Sequence, residues 1–70
     1  MDIEQARKLR RGSNVKCPPD RGSLGFTGKV DQLDCATAME HTSHQGLRFI
    51  WIAVRDPGGR PSIWPSTRLS

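Results

Sequence analysis

At 70 residues and 7.8 kDa the chain has room for one domain and not for two, and with 34% apolar residues and a mean hydropathy of −0.59 its core must be small. Its longest apolar run, residues 49–54, is too short to cross a bilayer, while 12 Gly and Pro in 70 residues suit a turn-rich fold but not a low-complexity chain. Eleven Lys and Arg against seven Asp and Glu give a formal charge of +4, distributed as +4 over residues 1–30, −2 over 31–54 and +2 over 55–70, so an acidic middle separates two basic ends.

In chain order, residues 2–11 have the spacing of a short helix, with Asp2 as N-cap and Gly12 as terminator; so short a helix is marginal alone, and a flexible basic arm is the alternative. Residues 14–17 alternate polar and apolar side chains and predict a strand. Pro18 and Pro19 end it, and residues 20–23 form a turn. Residues 26–33 predict a second strand with Phe26, Gly28 and Val30 on one side; the glycine marks a bulge, a bend or a close approach of two backbones. Residues 34–46 predict an exposed loop. Residues 47–55 are the strongest strand signal and predict the central strand, with Trp51 in the core and its use as a stacking platform the alternative. Residues 56–59 have tight-turn chemistry, and residues 61–65 predict a strand whose two prolines place it at a sheet edge or a strand end. A single 3₁₀ turn is expected at 66–69. Four or five strands this short bury their apolar side chains efficiently only in a strongly bent sheet. The expected organisation is a basic arm or short helix over 1–11 and a small mainly β barrel over 12–70.

Cys17 and Cys35, with no secretory leader pattern before them, predict free thiols in a reducing, cytoplasmic setting. His41 and His44 stand in an H-x-x-H spacing, but the wide separation of the cysteines argues against a zinc site, and no metal or cofactor is expected. No nucleophile with base and orienting acid is evident, and the stretch 22–25 lacks the context of a phosphate loop. The expected protein is not an enzyme.

The order of signals resembles an SH3-like barrel of the KOW or plasmid type. The resemblance rests on Gly12-Ser13-Asn14-Val15, Gly25-Phe26-Thr27-Gly28-Lys29-Val30, Trp51-Ile52-Ala53-Val54 and Ile63-Trp64-Pro65-Ser66-Thr67-Arg68-Leu69. It implies a small barrel of four or five bent strands, of bacterial, phage or mobile-element type. Within that architecture the segment Pro61-Ser62-Ile63-Trp64-Pro65 is similar to the pore strand of plasmid type II dihydrofolate reductases, where Gln and Ile contact folate and nicotinamide. Ser62 stands in place of that Gln, and a hydroxyl does not replace an amide that donates and accepts together.

Basic side chains dominate the candidate site. Arg7, Lys8, Arg10 and Arg11 form the densest cluster; Lys16, Arg21 and Lys29 extend it across the first two strands if Val15 and Val30 point inward; Trp64, between prolines near an edge, adds an aromatic that either packs or binds. The leading expectation is a small binding module for nucleic acid. A protein-interaction module using Trp64 and the 34–46 loop is the alternative, and a reductase-like enzyme the second. No membrane association is expected, and oligomeric state is open.

Overall fold

The computed structural model describes residues 1–20, 22 and 24–70. Asp2 caps the first element: its carboxylate accepts from the Gln5 amide at 2.8 Å, and Gln5 Oε1 accepts from the Asp2 amide at 3.4 Å. Helix α1, Ile3–Arg7, follows and buries Ile3 and Ala6. It is shorter than the spacing predicts because Ser13 competes for the chain beyond it. The Ser13 hydroxyl accepts from the Arg10 amide at 3.0 Å, and its own amide donates to the Arg10 carbonyl at 2.9 Å. The resulting turn is completed by Gly12 at φ +92°.

The remainder is mainly β, as expected. The strands are β1 Asn14–Cys17, β2 Phe26–Val30, β3 His41–Thr42, β4 Arg48–Phe49, β5 Trp51–Arg55 and β6 Pro61–Pro65, followed by a 3₁₀ helix over Ser66–Arg68. An antiparallel sheet of order β1-β2-β5-β6 carries the fold, and β3 pairs with β4 in a separate hairpin. Beyond the 3₁₀ helix the chain returns to the far side of β1. There Lys16 donates to the Ser70 carbonyl at 2.7 Å and accepts from the Ser70 amide at 3.2 Å, so the two ends of the sheet curl toward each other. Val15, Cys17, Val30, Ile50, Ile52, Val54 and Leu69 fill the interior, capped by Ile3, Ala6 and Cys35. Gly28 proves to be a close approach: Val54 packs over it, and a β-carbon there would lie 2.8 Å from the Arg55 carbonyl. Among the described residues no helix is long and apolar enough to cross a membrane.

Four expectations need correction. The 47–55 run is two strands, broken at Ile50. Buried Ser66 accepts from the Ile50 amide through Oγ at 3.1 Å and donates its own amide to the Ile50 carbonyl at 2.9 Å. Ile50 is thus a pivot, before which Phe49 pairs with His41 and after which Trp51 pairs with Pro65. The 34–46 stretch is therefore not all loop; it contains β3. The second strand stops at Val30, with the Gln32 side chain continuing the ladder by accepting from the Ala53 amide at 3.1 Å. Most consequential is Trp51, which is not in the core. Ile50 and Ile52 on either side of it are fully buried, so alternation turns its indole outward, 46% exposed.

The segment between β2 and β3 is held by side chains. The Asp34 carboxylate accepts from the amides of Ala36 and Thr37 and from the Thr37 hydroxyl, the last at 2.6 Å. Arg7 reaches across from α1 and donates to the carbonyls of Ala36 at 2.7 Å and Ala38 at 3.0 Å.

Candidate nucleic-acid interface

The pleat decides which charges share a surface. Val15, Gly28, Val30, Ile52 and Val54 point inward, so Asn14, Lys16, Thr27, Lys29, Asp31, Trp51, Ala53 and Arg55 lie on the outer face. Lys16 and Lys29 are both there, as expected if Val15 and Val30 face the core. Lys16 stands opposite Thr27, and Lys29 stands between Asn14 and Arg55.

The Lys29–Arg55 register sets two cations directly against each other, an arrangement that costs stability on a sheet. Neighbouring groups moderate it. Lys29 Nζ donates to Asn14 Oδ1 at 3.3 Å, and Arg55 Nε meets Asp31 Oδ2 at 2.7 Å. Arg11 Nε approaches the other oxygen of Asp31 at 3.5 Å. Asp31 therefore serves two guanidinium groups, and Arg55 is further fixed by donating to the Gly59 carbonyl at 2.8 Å. These side chains line a cleft of about 470 Å³ between the 10–13 turn and the β5–β6 turn, with Thr27, Asp56 and Pro57 among its walls. Asp56 is engaged in its own turn, accepting from the Arg60 amide at 2.9 Å. Oriented donors on three cations, exposed to solvent and set against two carboxylates, Asp31 and Asp56, leave the cleft net positive and suit an oxyanion ligand.

The four basic residues of the N-terminal segment border one second cleft, in which their partners differ. Arg7 is committed to the Ala36 and Ala38 carbonyls and approaches Glu40 at 3.9 Å. Lys8 and Arg10 line this cleft with Arg7, beside Leu33, Asp34 and Ala36, and Arg11 borders both clefts. Arg21 lies outside the described residues. Trp64 is half-buried: its indole N–H donates to Ser62 Oγ at 2.9 Å, Phe26 packs edge-on at 6.2 Å, and the Arg68 guanidinium lies 5.3 Å from its ring centre. Arg68 also approaches Asp20 at 3.7 Å.

One of these residues escapes a reading of the sequence, and a second aromatic is assigned by it to the wrong side of the sheet. Arg55 looks like the end of a strand, and only its register against Lys29 makes it part of a site. Trp51 looks like core because it lies in an apolar run; the signal available was the parity of Ile50, Ile52 and Val54. His41 stacks on Phe49 at 5.5 Å, away from any metal-like grouping. Among the described residues no cluster of three or more His, Cys, Asp and Glu could hold a metal ion. Cys17 and Cys35 are free and buried, and burial pushes both thiols above their ordinary pKa, which keeps them protonated and weakly nucleophilic at neutral pH.

The chain matches no family model, no curated protein and no solved structure.

Proposed function

We propose that this domain is a non-enzymatic nucleic-acid-binding module of SH3-like architecture that takes the phosphate backbone on the outer face of β1, β2 and β5. The observation that carries the reading is the like-charged Lys29–Arg55 pair beside Arg11 and Lys16. Positive charge is concentrated there at a cost to folding, which a polyanion would relieve. The architectural half of the proposal draws on the 3₁₀ helix that precedes the final pairing of Ser70 with β1.

The test is salt dependence. Each phosphate neutralised on a single strand contributes about 0.7 to the slope of log affinity against log salt, and about 0.9 on duplex. Four cations give a slope near −3 on single strands. Replacing Lys16 and Lys29 by Ala should flatten that slope by roughly 1.4 and weaken binding similarly on every sequence. Lys8→Ala with Arg10→Ala should change it far less. Absence of affinity at low salt, or a slope unmoved by the Lys16 and Lys29 changes, would refute the assignment.

A further inference from the structure

The exposed indole of Trp51 has no role in the core and none in phosphate binding, yet it is held firmly in place. Phe49 packs against it at 5.3 Å with its ring nearly perpendicular, at 87°, and His41 lies edge-on at 6.4 Å. Those two rings stack on each other, interplanar angle 28°, and so brace one another. Across the strand pair Pro65 stands in register with Trp51 and Ile63 with Ala53, and Ile63 is 69% exposed. The result is a rigid aromatic group with an apolar flank, on the same face of β5 as Arg55. The two are four positions apart along the strand, on the order of 13 Å at the rise of an extended chain.

Resting on the nucleic-acid reading, we propose that Trp51 stacks an unpaired nucleobase of the strand whose phosphates lie at Lys29 and Arg55, so that the domain prefers single-stranded to duplex nucleic acid. Bases in a duplex are stacked on one another and offer no free face, whereas a single strand turns its bases out onto aromatic side chains regardless of sequence. A ring already fixed by Phe49 and His41 loses little rotamer freedom when a base lands on it. The bases would then lie toward the Trp51–Ile63 end of the face, and the phosphates toward the Arg11–Lys29–Arg55 cleft.

The experiment measures affinity for a short oligothymidylate and for a mixed-sequence duplex over a series of salt concentrations starting from low salt, with wild type, Trp51→Ala, Trp51→Phe and the Lys16→Ala/Lys29→Ala double variant. The indole is on the surface, so the dispersed amide spectrum of Trp51→Ala should match wild type. Its affinity for oligothymidylate should fall roughly 5- to 150-fold, the range spanned by one base stack, with little change on duplex. Trp51→Phe should recover much of the loss, and the salt slope of both should stay at the wild-type value. Equal loss on both nucleic acids, or none on oligothymidylate, overturns the stacking assignment while leaving the phosphate face standing. Wild type binding neither probe overturns both. A loss on oligothymidylate that Phe does not recover, in a variant with a native spectrum, also counts against stacking.

Discussion

Ser66 shows how much one buried hydroxyl can decide. It is fully buried, and it answers both main-chain groups of Ile50 at the point where the chain changes partners. Ser66→Ala keeps the volume nearly unchanged but leaves the Ile50 amide without an acceptor in the core. The expected cost is about 1–3 kcal/mol, read as a drop of several degrees in thermal midpoint. A loss below about 0.5 kcal/mol, the range of an ordinary surface change, would show that Ile50 is satisfied in another way. The same residue marks a limit of sequence reading. A Ser after Pro65 looks like a turn residue, and nothing local discloses that its hydroxyl is taken up by Ile50 at the break between β4 and β5. Gly28 was more legible, because a glycine inside an alternating run has few reasons to be there, and a close approach is one of them.

Among the elements, α1 and the segment before β3 are coupled by charge rather than by apolar packing alone. Arg7 holds the Ala36 and Ala38 carbonyls, and Glu40 is shared by Arg48 at 2.7 Å and Arg7 at 3.9 Å. The hydrogen bond from Arg48 holds the Glu40 carboxyl below its ordinary value of 4.5, and the Thr37 hydroxyl and amide hold Asp34 below 3.8. Lowered carboxylate values mean that this stabilisation is fully present above the ordinary values and is lost as pH falls through the lowered ones. Thermal midpoints should therefore be level from neutral pH down to about 4.5 and fall below it, with amide exchange rising first in residues 34–49. Glu40→Gln should reduce the acid dependence, and an unchanged profile would mean that the exposed pairs contribute nothing measurable. The strands of the main sheet were legible because alternation reports burial directly. The β3–β4 hairpin was not, since a two-residue strand shows no period and its existence depends on Phe49 turning away at Ile50. The helix was legible at its start, where Asp2 and Gln5 form a capping box, and misread at its end, where Ser13 draws the chain into a turn.

Across the whole molecule, folding arranges basic residues along two neighbouring clefts that share Arg11. Arg7 goes to structure, while Lys16, Lys29, Arg11 and Arg55 gather on the outer face with Trp51 beyond them. Composition announced the charge excess, and the pleat of β1 and β2 placed Lys16 and Lys29 correctly. The prominent 7–11 cluster stays together along the second cleft, but within it Arg7 is turned to the following loop, and Arg11 also reaches Asp31 on the outer face. The most direct measurement is an amide and indole NMR titration of the full chain with oligothymidylate at low salt. The account predicts shifts concentrated at Lys16, Thr27, Lys29, Arg55 and the Trp51 indole, with the Trp64 indole, bonded to Ser62, moving little. Shifts confined to Lys8 and Arg10 around the second cleft, or no shifts at all, would contradict it.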